Sequence, residues 1–211
     1  MIVGLCGFIG CGKSTVADML IDKYDFERVA FADPLKDACA AIFGWDRKLL
    51  EGDTLESREF REKVDPFWST ELGYDITPRQ ALQIMGTEAG RDVFGENLWV
   101  ASLKNKLTQL TKANTNVVIP DVRFLNECNM ITRFGGMIYE VSRGTRPEWY
   151  RTALTDNVFH TKIMEIDYPD VHASEYSWIG FSNITIENSS DLAHLSREVS
   201  DKILRTNDST I

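Results

Sequence analysis

No stretch of the chain approaches the ~20 consecutive apolar residues that a membrane-crossing helix needs. No block of lysine or arginine interrupts a sequence with 32 acidic and 23 basic residues, a formal charge of −9. DNA or a membrane surface would want a basic face, so both are disfavoured as partners. Cysteine is sparse: Cys6, Cys11, Cys39 and Cys128 show neither C-x-x-C spacing nor the density of a disulfide scaffold, and the expectation is four reduced thiols. The three histidines, His160, His172 and His194, are too scattered for a metal set. Internal repeats and low-complexity tracts are also missing. The 211 residues suffice for one well-packed core and are few for two full domains, so a single domain over 1–211 is expected. The chain opens directly on a strand without a charged leader, which makes the cytoplasm the expected location.

What is present starts at once. The apolar run Ile2 to Cys6 leads into Gly7-Phe8-Ile9-Gly10-Cys11-Gly12-Lys13-Ser14-Thr15 and then the helical pattern Val16, Ala17, Met19, Leu20. Strand, glycine loop, helix with the spacing G-x-x-x-x-G-K-[ST] is a phosphate-binding P-loop. Its glycines let backbone N–H groups turn inward, and the helix adds the positive end of its dipole. The loop therefore reads as a polyphosphate site formed by Gly10, Cys11, Gly12, Lys13, Ser14 and Thr15. Lys13 would reach the β- and γ-phosphates, the Ser14 hydroxyl would be a ligand of Mg²⁺, and Thr15 would touch the α-phosphate. Cys11 sits where a helix N-terminus lowers a thiol pKa, or is simply a small residue that fits the loop.

Further along, Asp25 to Phe31 reads as a strand and Leu35 to Phe43 as a helix ending at Gly44. Asp33 and Lys36 suit a cap and a solvated charge better than a ligand contact. Trp45 to Asp75 has no clean strand and reads as helix and loop. Thr77-Pro78 caps a helix running to Gly86-Thr87, in which Arg79, Gln83 and Thr87 share a face. That row suits a phosphate and a base edge, and equally a plain polar surface. Leu98 to Thr111 is helical, and Trp99 is either core or a flat wall for a base. Asn116 to Asp121 is a buried strand ending in a carboxylate, as a Walker B strand does. Arg123 and Glu127 follow in the pattern Asp121-x-Arg123-x-x-x-Glu127, at the start of a helix from Phe124 to Phe134. Met137 to Ser142 is another strand. Arg143 to Ser182 lacks apolar periodicity and reads as a lid and loop region, whose Arg143, Arg146 and Arg151 could neutralise phosphate. Asn183 to Ile186 is the last strand, and Asp191 to Leu204 the last helix.

With these residues in hand, the chain resembles the tailed-phage deoxynucleoside monophosphate kinases, a branch of the P-loop nucleoside monophosphate kinases. Besides the P-loop, the likeness rests on Thr77-Pro78-Arg79-Gln80-Ala81-Leu82-Gln83-Ile84-Met85-Gly86-Thr87 with Trp99-Val100. Pro120-Asp121-Val122-Arg123-Phe124-Leu125-Asn126-Glu127 and the shorter His172-Ala173-Ser174-Glu175 complete it. The resemblance implies an α/β three-layer P-loop fold, a five-stranded parallel sheet flanked by helices, with an acceptor-binding insertion at about 33–112 and a lid at about 143–182. It implies ATP and Mg²⁺, held in part by Arg143 and by Ser14 with Asp121 respectively, and a deoxynucleoside 5′-monophosphate as acceptor. It places Arg79, Gln83, Gly86, Thr87 and Trp99 around the acceptor. Lys13, Asp121, Arg123 and Glu127 fall at the transfer centre, with Arg123 and Glu127 also near the acceptor sugar. The family often carries Asp after the lysine; here Ser14 stands there, a conventional Mg²⁺ ligand. A homodimer is left open, and a phage-encoded enzyme would work in the host cytoplasm. The rivals are a dephospho-coenzyme A or shikimate kinase and, from another class, a GTPase-like switch or non-catalytic nucleotide-binding module. The last would want N-K-x-D, and Asn105-Lys106-Leu107-Thr108 lacks the aspartate.

Overall fold

The computed structural model describes residues 1–159 and 162–205; His160 and part of the expected lid lie outside them. In chain order the elements are β1 (Ile2–Cys6), α1 (Lys13–Tyr24), β2 (Phe26–Arg28), α2 (Asp33–Phe43), α3 (Leu55–Glu62), α4 (Pro66–Leu72), α5 (Pro78–Gly86), α6 (Asp92–Phe94) and α7 (Leu98–Lys112). Then come β3 (Asn116–Ile119), α8 (Leu125–Arg133), β4 (Met137–Ser142), α9 (Tyr150–Phe159), α10 (Ile163–Asp167), α11 (Ala173–Tyr176), β5 (Ile184–Glu187) and α12 (Leu192–Val199). By internal contacts the chain divides into two compact units: Met1–Ala30 with Lys106–Ile211, and Phe31–Asn105.

The first unit holds one five-stranded sheet in the order β2-β3-β1-β4-β5. All pairings are parallel, with Val3 opposite Val118 and Cys6 opposite Glu140 fixing the register around β1. Helices cover both faces, as a parallel sheet requires. The two-residue period of a strand sorts the side chains. Val3 and Leu5 of β1, with Tyr139 and Val141 of β4, join Val16 and Leu20 of α1 and Leu195 and Val199 of α12 in one buried cluster. Gly4 faces the opposite way, where a β-carbon would meet Ile131 of α8 at 2.8 Å. The C-terminal ends of β1, β3 and β4 therefore open together beside the glycine loop, at the point where strand order reverses and ligands of such sheets bind.

The second unit is helical. Cys39, Trp45, Leu50, Ile76, Ala81 and Leu82 form its core, with the Phe43 and Trp45 rings stacked 4.3 Å apart. Asp65 caps α4 by accepting from Trp68 N and also takes the Trp45 indole N–H at 2.8 Å. Thr77 caps α5 as expected, and Gln80 returns the bond by accepting from Thr77 N. Lys36 is not solvated: it pairs with Glu51, while Arg47 gathers Asp33, Asp37 and the same Glu51.

Two further expectations need correction. The second strand is only Phe26–Arg28 rather than Asp25 to Phe31, although Val29 N still donates to Val118 O at 3.1 Å. The stretch after β4 is not structureless, since α9, α10 and α11 occupy it. Its period was hidden because, among the described side chains of α9, the buried ones are Tyr150, Ala153 and Asp156, a stripe containing a carboxylate and an alanine. Asp156 is buried for a reason, accepting from Ile163 N and Met164 N to start α10.

Leu5 is fully buried in the sheet cluster, so Leu5→Ala should cost about 3 kcal/mol of stability. Urea unfolding should show a lower midpoint at unchanged slope.

Candidate active site

The loop between β1 and α1 holds Gly7, Gly10 and Gly12 at φ of +134°, +77° and +105°, backbone that rotates N–H groups toward one hollow. At Gly7 a β-carbon would strike the Val141 carbonyl, and at Gly12 the side-chain amide of Asn188. Glycine is thus required at Gly7 by space as well as by φ, and at Gly12 by φ, with the Asn188 amide standing where a side chain would begin. Lys13 opens α1, and its Nζ donates to the carbonyls of Gly7 (2.7 Å) and Phe8 (3.0 Å). Burial lowers the Lys13 pKa from the usual 10.5; the Arg123 charge pushes it the same way and Glu175 opposes. Ser14 is exposed at the first turn of α1 and Thr15 is half-buried. Phe8 is fixed from outside by edge-on rings: Trp149 at 5.6 Å, Tyr150 at 6.1 Å and Trp178 at 5.2 Å.

Of the two readings of Cys11, the structure supports the small residue that fits the loop over the activated thiol. Its side chain lies in the sheet core, only 2% exposed, and burial raises the thiol pKa above 9.0 despite the opposing Lys13 charge.

The second cluster follows β3. Val122 N donates to Leu5 O at 3.2 Å, which ties the turn at Pro120-Asp121 to the end of β1. Asp121 is half-buried in that turn. Glu127 is 2% exposed, and its Oε2 accepts from the backbone N–H groups of Arg123 (2.7 Å) and Phe124 (3.1 Å). Its carboxylate therefore braces the turn that carries Arg123. The Arg123 guanidinium lies 3.8 Å from Glu175. Glu175 arrives there on α11, whose start is capped by His172: Nδ1 accepts from Ser174 N at 3.2 Å.

Of the arginines after β4, Arg143 and Arg151 are exposed, whereas Arg146 is engaged. It donates to Glu140 Oε1 at 3.0 Å and lies 4.1 Å above the Tyr150 ring. Burial raises the Glu140 pKa above 4.5, outweighing the nearby Arg146 charge.

Of the predicted acceptor residues, Arg79, Gln83, Gly86, Thr87 and Trp99 fall in the second unit, and Arg123 and Glu127 in the first. Gln83 and Thr87 are exposed, and Arg79 pairs with Glu62 of α3. After α5 the helix widens into a π-turn at Thr87–Arg91. Trp99 holds that turn: its indole donates to Gly86 O at 2.9 Å, and a β-carbon on Gly90 would come within 2.9 Å of its ring.

A relative from Acanthamoeba polyphaga mimivirus, described as a deoxynucleotide monophosphate kinase, is 34% identical over 68% of this chain and 74% of its own. The chain belongs to the deoxynucleotide monophosphate kinase family. The deoxynucleoside-5′-monophosphate kinase of Escherichia phage T5 is 27% identical over 62% of this chain and 71% of its own. A dephospho-CoA kinase from Campylobacter jejuni shares the fold, with a TM-score of 0.51 at 15% identity over 100% of this chain and 98% of that one. No family model matches. This family member is thus a phosphotransferase built on the P-loop kinase fold.

Reading the sequence alone missed Glu140, Glu175 and Asn188 as neighbours of the site. Glu175 was quoted in a motif without a role, and the other two lie on strands or strand ends with no spacing signal. Among the described residues, no three or more His, Cys, Asp or Glu side chains gather to hold a metal alone. No helix among them is long and apolar enough to cross a membrane.

Two outcomes follow. All four thiols are buried, so a thiol reagent should find no fast-reacting group in the native protein and four in denaturant. A carboxyl with a raised folded pKa contributes stability that is full below its unfolded value and is lost as pH rises through the folded one. The stability of Glu140→Gln relative to wild type should therefore improve as pH rises above 4.5, read from urea unfolding at a series of pH values.

Proposed function

We propose that this protein transfers the γ-phosphoryl group of ATP to a deoxynucleoside 5′-monophosphate, releasing ADP and the deoxynucleoside diphosphate. The observation that carries the reading is the glycine loop closed on Lys13 with the Arg123 turn tied to the same end of β1, in a chain related to kinases described as acting on deoxynucleotide monophosphates.

The residues present suit a triphosphate. The loop's glycine positions carry no side chains over their N–H groups, and Lys13 is held by two carbonyl oxygens and, at 3.8 Å, the Cys11 sulfur, which a stronger acceptor can replace. Arg143 adds a further contact to ATP in this reading. Ser14 and Asp121 would hold Mg²⁺, which when bound spreads the charge of the β- and γ-phosphates.

In the transfer, an acceptor phosphate oxygen forms a bond to the γ-phosphorus while the bond from that phosphorus to the β,γ-bridging oxygen breaks, and the electron pair leaves on ADP. No covalent intermediate on the protein is needed. Lys13 and Arg123 stabilise the equatorial oxygens, and Glu127 sets the turn that aims Arg123. Arg79, Gln83, Gly86, Thr87 and Trp99 bind the monophosphate. Trp99 acts at least partly by shaping the π-turn, and Arg79 exchanges the exposed Glu62 carboxylate for phosphate. We assign the acceptor role to an insertion at about 33–112 and closure to a lid at about 143–182. The viral and phage sources of the relatives support work in a host cytoplasm.

A coupled ADP-release assay across the deoxynucleoside monophosphates, their ribo forms and dephospho-coenzyme A tests the reading. Turnover is expected with one or more deoxynucleoside monophosphates, and turnover with dephospho-coenzyme A alone would overturn it. Arg123→Ala should lower kcat about 10³-fold; near-normal turnover would remove Arg123 from the transition state.

A further inference from the structure

The glycine loop is held from a part of the chain that none of its motifs includes. Asn188 follows β5, and its backbone N–H donates to Ser142 O at 2.8 Å, extending the β4–β5 ladder by one residue. Its side chain then crosses to the loop. Nδ2 donates to the Cys11 carbonyl at 2.8 Å, across 177 positions of sequence. The amide lies so close to the loop that a β-carbon on Gly12 would overlap it.

A trans peptide is flat, with its C=O and N–H on opposite sides. Fixing the Cys11 oxygen toward Asn188 therefore turns the Gly12 N–H away from Asn188. The loop's other neighbours cannot do this. Lys13 binds the carbonyls of Gly7 and Phe8, and the aromatic rings grip Phe8. Gly12 has φ +105° and no side chain, so its peptide would otherwise be the freest to rotate.

We propose that Asn188 is a positioning residue for phosphate binding, setting the Cys11–Gly12 peptide so that the Gly12 N–H donates to the bound polyphosphate. This rests on the proposed reading of the loop as the ATP phosphate site. Asn188 touches no phosphate itself; it prepays the orientation of a donor, and so its loss appears as weaker phosphate binding. A residue that merely ties down the end of β5 would lower the melting midpoint and leave binding by the folded protein unchanged.

The experiment compares the full chain with Asn188→Ala and Asn188→Asp. Binding of inorganic tripolyphosphate and of ATP is measured well below every thermal midpoint, and the midpoints are recorded without ligand. Tripolyphosphate isolates the loop from any base contact. Asn188→Ala should weaken both ligands about tenfold, the scale of one hydrogen bond. Asn188→Asp keeps the shape, replaces the donor with an acceptor and adds a repelling negative charge, so it should weaken them by more than the alanine change. If the alanine variant does not fold, wild-type affinity in the aspartate variant overturns the assignment. Wild-type affinity in either folded variant, with or without a lowered midpoint, overturns the assignment. Wild-type protein that binds neither ligand overturns the phosphate reading of the loop, and the role of Asn188 with it.

Discussion

A phosphate cradle made of backbone must turn its N–H groups to one side, and that orientation has to be enforced through what remains on the other. The carbonyls of Gly7 and Phe8 are occupied by Lys13, and the Cys11 carbonyl by Asn188. Leu5 O, just upstream, accepts from Val122 at the turn that carries Asp121 and Arg123. Each bond satisfies an oxygen that would otherwise face a poorly solvated interior, and each commits a peptide plane to one orientation. The central sheet matters to chemistry because its parallel register brings the ends of β1, β3 and β4 to the same edge.

The charges around this edge are stored as pairs. Arg123 stands beside Glu175 and Arg146 beside Glu140; within the second unit, separately, Arg79 stands beside Glu62. This gives the acidic balance of the chain a local meaning: guanidinium groups that would repel one another are each accompanied. The pairs differ in permanence. Arg123–Glu175 and Arg79–Glu62 are substantially exposed, and such pairs contribute about 0–1 kcal/mol, so a phosphate can displace the carboxylate at little cost. Glu140 is buried, and removing Arg146 would leave its charge in a dry setting.

How much of this was legible in the sequence depended on the range of the signal. The loop, the Thr77–Gln80 cap and all five strands were readable because glycine spacing, capping pairs and apolar runs act over a few residues. Helix α9 was not, since its inward stripe is built on Ala153 and Asp156 rather than on large apolar groups. Glu127 was marked as a charge near the reaction, and the structure adds that its oxygen faces backbone N–H groups, a direction that composition does not encode. Asn188 left no trace because its partner is a carbonyl oxygen, identical in every residue and distant in sequence. The reading of Lys36 as a solvated lysine failed for a related reason: its partner Glu51 lies beyond helical spacing.

The rings packed on Phe8 have an optical meaning. Trp149 and Trp178 both pack edge-to-face with its ring, and Trp178 is shielded from water. Indole emission depends on the polarity and motion of its immediate surroundings, so two intrinsic fluorophores are wired to the mouth of the glycine loop. Any rearrangement of that mouth when a ligand arrives is written into the colour and intensity of the protein's own light, without a dye or a label.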